Sequence, residues 1–198
     1  MPGPGGVSLV YGVSPEFAMS RLDEAIHPEL HVFVEDREAV ILVREIIASA
    51  NDGHEVLARL DIIPVGPANV VQIMGQLSHA GRLPYNALAV LDGDEDVSVG
   101  CLKLPGNLAP ERVVFNQLKA STWPNLPARF GIGAGNLITY LEDAMLEPDH
   151  HRWLEMVGDR VLKSKTSVWE TLTSEWVRSC LPPAERDSFV EAVKAKLP

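Results

Sequence analysis

Three short apolar runs, each stopping abruptly at an acidic or a proline-glycine turn and each followed by residues of helical periodicity, restrict this chain to folds built from β-α-β units. Leu30-His31-Val32-Phe33-Val34 runs straight into Glu35-Asp36. That is the pattern of a strand covered on both faces and meeting a polar loop at its end. From Arg37 to Ser49 the residues Val40, Ile41, Val43, Ile46 and Ile47 recur at helical spacing, and Asn51-Asp52-Gly53 stops that helix. A second strand is expected over residues 58–65, closed by Pro64 and Gly66-Pro67. A helix follows from Asn69 to His79, with Asn69 as its N-cap. Asn86-Ala87-Leu88-Ala89-Val90-Leu91 forms the third strand and enters Asp92-Gly93-Asp94-Glu95-Asp96. Cys101-Leu102-Lys103-Leu104 reads as a shorter fourth strand, ended by Pro105-Gly106. Beyond Pro110 the periodicity gives helices alone, over residues 110–119, 135–146, 149–163, 166–180 and 183–197.

The expected architecture is therefore α/β, a Rossmann-like parallel sheet flanked by helices, with a helical C-terminal extension. Residues 1–29 read as a leader and lead-in segment, 30–110 as the α/β domain, and 111–198 as the extension, which holds all four tryptophans. A hydrophobic share of 46% is that of an ordinary globular chain, and no apolar run approaches the about 20 residues that span a bilayer. Met1-Pro2-Gly3-Pro4-Gly5-Gly6 lacks the basic and apolar parts of a signal peptide and reads as a flexible leader. Cys101 and Cys180 are too few for a disulfide framework and read as buried thiols, so a soluble cytoplasmic protein is expected. The net charge of −10 argues against a large electrostatic DNA footprint on this chain alone. It does not exclude nucleic acid, because carboxylates that hold metal ions also lower the count.

In open α/β sheets ligands bind outside the carboxyl ends of the strands. Here those ends carry Glu35 after the first strand and Asp92 and Asp94 after the third. Asp-x-Asp on a tight glycine turn points two carboxylates at one place. A third from the neighbouring strand completes an oxygen set for Mg²⁺ or Mn²⁺. The bland alternative is that Asp92-Gly93-Asp94 is only a turn.

Glu35 after Val32-Phe33-Val34, the run Ile62-Ile63-Pro64-Val65-Gly66-Pro67-Ala68-Asn69-Val70, and Leu88-Ala89-Val90-Leu91-Asp92-Gly93-Asp94 together resemble a TOPRIM domain. This is the metal-binding module of topoisomerases, DnaG-type primases and OLD-family nucleases. The resemblance is strongest to the C-terminal part of OLD-family ATP-dependent endonucleases, which an ABC-type ATPase normally precedes. The run Leu104-Pro105-Gly106-Asn107-Leu108-Ala109-Pro110-Glu111 and the helical tail are similar to that group too.

The resemblance implies that Glu35, Asp92 and Asp94 hold Mg²⁺ or Mn²⁺ and that the reaction is hydrolysis of a DNA phosphodiester. It also implies a role in phage or mobile-element defence, with DNA and an ATPase part as partners and a homodimer left open. The family's run of Glu-Gly-x-Ser/Thr-Asp/Glu has a second acid four residues after the first, where this chain has Ala39; Asp36 stands in place of the glycine. Glu38 and Glu95 are auxiliary candidates for a second ion. A C-terminal lysine that neutralises phosphate charge in that family matches Lys165 or Lys163 here. Against this stands the ordinary reading of both lysines as a solvated helix end. His150, His151, Arg152, Arg160, Lys163 and Lys165 make up the most basic stretch, the place for phosphate contacts if DNA is touched.

Other patterns read as structural. Asp149-His150-His151 shares its letters with DHH phosphoesterases but lacks their further motifs, and reads as the cap and first turn of a helix. Gly131-Ile132-Gly133-Ala134-Gly135 lacks the lysine of a phosphate-binding P-loop and reads as a connector, so an ATPase is not expected on this chain. Trp169, Leu172, Trp176 and Cys180 share one helical stripe, read as core packing, with an ATPase docking face as the alternative. His31 and His79 read as structural. Three functions are carried forward: a metal-dependent DNA endonuclease or nickase, an inactive TOPRIM scaffold serving protein interaction, and a phosphoryl-transfer enzyme acting on a small phosphoester.

Overall fold

A computed structural model describes residues 27–198. The leader expected at the N-terminus falls almost wholly outside the described residues. The strands are β1 (Leu30–Val34), β2 (Leu60–Pro64), β3 (Ala87–Leu91) and β4 (Cys101–Lys103). They form one four-stranded sheet, ordered β2-β1-β3-β4, with every pairing parallel. Between them lie α1 (Arg37–Ala48), the short α2 (Gly53–Leu57) and α3 (Ala68–His79). The helical half comprises α4 (Pro110–Ala120), α5 (Leu126–Phe130), α6 (Ala134–Ala144), a 3₁₀ turn (His150–Arg152), α7 (Trp153–Val161), α8 (Lys165–Ser179) and α9 (Pro183–Lys194). This is the parallel, helix-flanked α/β sheet with a helical C-terminal part that the sequence pattern predicts. No helix among the described residues is long and apolar enough to cross a membrane.

The period-two alternation of strand side chains divides the core. Leu30, Val32 and Val34 of β1 and Leu88 and Val90 of β3 face a large cluster shared with α1, α4, α7, α8 and α9. Ala89 and Leu91 turn the other way and pack with Val71 of α3. One hydrophobic cluster thus runs from β1 to Val193 of α9, so the sheet and the helical half share an interior. Trp169 of α8 is fully buried and its indole Nε1 donates to the Glu38 carbonyl at the start of α1 (2.8 Å). Trp176, two turns further along the same face of α8, donates from Nε1 to Gln117 Oε1 of α4 (2.7 Å).

Several boundaries differ from expectation for local reasons. Asn69 is not the cap of α3: the helix starts at Ala68, and Pro67 (φ −62°, ψ 161°) occupies the N-cap with no side-chain hydrogen bond. Proline's fixed φ already suits that entry. The turn at 51–53 does not lead directly to the second strand; Gly53 opens the single turn of α2. The short helix α5 lies outside the expected helices; Pro127 sits in its first turn, where proline is accommodated. The thiols of Cys101 and Cys180 are free as expected, but both residues are only half-buried. The tryptophan stripe of α8 is interior, which removes it as an ATPase docking face.

A buried carboxylate locks α8 to α5. Glu175 is fully enclosed and accepts from Asn125 Nδ2 (3.0 Å), Arg129 Nη1 (3.1 Å) and Ser179 Oγ. Burial pushes its pKa up, but these hydrogen bonds outweigh burial and hold the carboxyl below its ordinary value.

Candidate metal centre

The acids expected to act together are placed by strand ends. Glu35 follows β1 at once, and the backbone N–H of Ala68, where α3 begins, favours its charged form. Asp92 follows β3, the strand that neighbours β1 in the sheet. One oxygen of each, Glu35 Oε1 and Asp92 Oδ1, is buried with no hydrogen-bond partner among the described residues. Burial pushes the Glu35 carboxyl up to about 7, with Glu95, Asp36 and Asp94 raising it further. Burial likewise pushes Asp92 up to about 8, helped by Glu35, Asp36, Glu111 and Asp94. Asp94 is exposed at the turn, and Glu95 is half-buried beside it.

Gly93 shows why the turn between the two aspartates is glycine. A Cβ built there lies 2.9 Å from both the Gly106 and the Leu108 carbonyl oxygens, so the 92–94 turn rests directly on the 106–108 backbone. Gly93→Ala must push the two loops apart. We expect it to cost about 1–3 kcal/mol and to weaken Mn²⁺ protection against heat, both read from melting curves with and without the ion. An unchanged melting temperature together with unchanged protection excludes this contact as the reason for the glycine.

The remaining acids are already engaged. Asp36 caps α1, its side chain accepting from Ala39 N (2.8 Å). Ala39, where the resembled family carries its second acid, is 1% exposed and packs within the core. Glu38 pairs with Lys165 Nζ at 2.7 Å. Partial burial works against the charge on Lys165, yet the Glu38 contact and the Glu111 and Asp36 carboxylates together hold its pKa above the ordinary value. Lys165 therefore stands at the acidic cluster; Lys163 is exposed and forms none of the ion pairs found among the described residues. The basic stretch is dispersed as well. Arg152 pairs with Glu147 (3.2 Å), and Arg160 lies over the Tyr140 ring.

Compared with family models, curated proteins and solved structures, the chain matches none. Its site must therefore be judged by its own donors. All-oxygen donors at adjacent strand ends, two of them with buried unpartnered oxygens, suit a hard divalent cation. Both carboxyls are held up chiefly by burial and then by neighbouring acids, and a cation placed between them favours their charged forms.

Three residues outside this set come together next to it. Glu111, in the first turn of α4, is 3% exposed, and its Oε1 lies 3.5 Å from His151 Nδ1. The rings of His150 and His151 are 4.1 Å apart, and one ligand atom from each of the three residues falls within 4.8 Å of the others. Such a group is able to hold a metal ion. Asp149 does cap the turn, accepting from His151 N (3.1 Å), as the sequence suggests. The reading of the motif as purely structural missed where that turn lies. It packs on α4, and the charges of Asp94 and Asp36 reach His150 and Glu111 respectively.

Proposed function

We propose that this chain is a metal-dependent phosphodiesterase module of the TOPRIM kind, most similar to the nuclease part of OLD-family endonucleases. Its substrate is DNA, and it acts with an ABC-type ATPase part or partner in phage or mobile-element defence, in the cytoplasm. The observation that carries the reading is the pair of buried, unpartnered carboxylate oxygens on Glu35 and Asp92 at adjacent strand ends, with Asp94 on the same turn.

Glu35, Asp92 and Asp94 would hold Mg²⁺ or Mn²⁺, with Glu95 beside them. The bound ion supplies Lewis-acid stabilisation of phosphoryl oxygens and a water acidic enough to attack at neutral pH. The chain's own residues do the rest. Asp92 and Glu35 fix the position of positive charge against the sheet, and Lys165 presents an ammonium to the charge that develops on the phosphate. Glu38, held against Lys165 at 2.7 Å, orients that ammonium in the resting protein.

The test is cleavage of supercoiled plasmid with Mg²⁺, Mn²⁺ or EDTA, beside Asp94→Ala. Metal-dependent nicking that disappears in the variant is expected. A second reading, a TOPRIM scaffold without cleavage that serves protein interaction, is favoured by the burial of Ala39 and the engagement of Glu38. Plasmid left intact at micromolar protein, together with no thermal protection by millimolar Mn²⁺, selects that reading. Hydrolysis of a small model phosphodiester without DNA cleavage selects a small-phosphoester enzyme instead.

A further inference from the structure

We infer that Glu111, His150 and His151 form a separate binding site for a borderline divalent ion of the Zn²⁺ or Co²⁺ class. The inference goes beyond the nuclease reading and does not depend on it, since none of the three residues belongs to the strand-end acids.

The donor chemistry sets the class of ion. Two imidazoles and one carboxylate suit Zn²⁺, Co²⁺ or Ni²⁺, whereas Mg²⁺ takes oxygen ligands and gives up its water reluctantly. Three protein ligands leave a fourth tetrahedral position for water, the arrangement of open rather than structural zinc sites.

The geometry is close to closure. The three ligand atoms lie within 4.8 Å of one another. Tetrahedral ligands about 2.0–2.1 Å from zinc stand roughly 3.4 Å apart. The Glu111–His151 edge, at 3.5 Å, already has that length. The His151 side chain is 66% exposed and its ring lies 4.1 Å from that of His150, so only small side-chain adjustments of the two imidazoles separate the group from closure. Glu111 is the fixed wall of the site, buried in the first turn of α4. The Asp149 cap holds the two histidines on a 3₁₀ turn packed against that same helix.

A buried carboxylate is expensive without a positive partner. His151 is the cation nearest Glu111, and it fills that role only when protonated. The surrounding acids deepen the need: Asp36 and Glu38 both act on Glu111, and Asp94 acts on His150. A divalent ion on the neutral imidazoles meets the same requirement with twice the charge.

The test uses the full chain without a polyhistidine tag. Zn²⁺ and Co²⁺ are titrated calorimetrically, and the Co²⁺ complex is examined by visible absorption. Variants are His151→Gln, which alters a largely exposed side chain, and Asp92→Asn, which leaves all three donor groups in place and changes only a carboxylate whose charge Glu111 feels from the strand end. We expect Zn²⁺ affinity to fall at least tenfold in His151→Gln and by less than threefold in Asp92→Asn. The Co²⁺ bands should carry the intensity of a four-coordinate nitrogen-containing site and should weaken in His151→Gln. Zn²⁺ binding unchanged by His151→Gln overturns the proposal. So does binding lost equally in Asp92→Asn, which would place the ion among the strand-end acids. Failure of plasmid cleavage bears on the nuclease reading alone and leaves this result standing.

Discussion

In Asp92→Asn, plasmid nicking in Mg²⁺ or Mn²⁺ should fall about a thousandfold or more, while the metal-free protein melts higher than the parent at pH 8. The first effect follows from the several kcal/mol of charge stabilisation that a bound ion contributes, at about 1.4 kcal/mol per tenfold in rate. The second follows from the sign of the carboxyl's shift. Asp92 is raised from 3.8 to about 8, chiefly by burial and then by Glu35, Asp36, Glu111 and Asp94. Between those two values the folded protein binds more protons than the unfolded chain. Stability of the metal-free protein therefore falls as pH rises through that window. Glu35, raised to about 7, adds to the decline over the lower part of it.

An asparagine at 92 carries no charge to desolvate, so the variant escapes much of the loss. Each kcal/mol retained is worth roughly 2–4 °C in a chain of this size. Melting curves of both proteins at pH 5 and pH 8, with EDTA and with Mn²⁺, check the assignment. The parent should lose stability with rising pH in EDTA and regain it with Mn²⁺; the variant should do neither strongly. Parental nicking by the variant, or a metal-free parent as stable at pH 8 as at pH 5, refutes the role given to Asp92.

Trp169→Ala should be the most destabilising single change in the helical half, costing about 3–5 kcal/mol and lowering the melting temperature by roughly 10 °C. The indole is fully buried between α8 and α1, and its removal leaves a cavity at the junction of the helical half with the sheet. It also frees the Glu38 carbonyl from its 2.8 Å hydrogen bond. Trp169→Phe separates these contributions: it keeps most of the packing and loses only the donor, for about 1 kcal/mol. Guanidinium unfolding of the three proteins provides the measurement. A cost below 1 kcal/mol for the alanine variant shows that this junction does not hold the halves together.

The sheet was readable because its two central strands, β1 and β3, are covered on both faces. Val32-Phe33-Val34 and Leu88-Ala89-Val90-Leu91 are too continuously apolar to serve any surface element, and both stop at acids. The acids at those stops follow directly from the strand ends; Lys165, at the start of α8, is brought by tertiary packing to Glu38, Glu111 and Asp36. Glu38 was legible as an acid near the site but not as the partner of Lys165, since residues 127 positions apart share no local signal. The histidines escaped for a related reason. Locally, Asp149-His150-His151 is a capped turn, and it remains one in the fold. Only the packing of that turn on α4 brings the imidazoles to Glu111, and Pro110-Glu111 alone reads as an ordinary acidic first turn. Two adjacent histidines in a chain of net charge −10, with an acid in the first turn of a buried helix, were the available hint.

On a chain emerging from the ribosome, Glu35, Asp92, Asp94 and Glu111 are all synthesised before the first of the groups that answer their charge. His150 and His151 come some 40 residues after Glu111, and Lys165 arrives later still, with the Trp169 anchor just behind it. Until α8 settles onto α1, Glu38 lacks the ammonium that pairs with it, and Glu111 and Asp36 lack its positive charge nearby. A truncated chain ending before that helix would keep the buried acids and lack both the Lys165 ammonium and the Trp169 anchor.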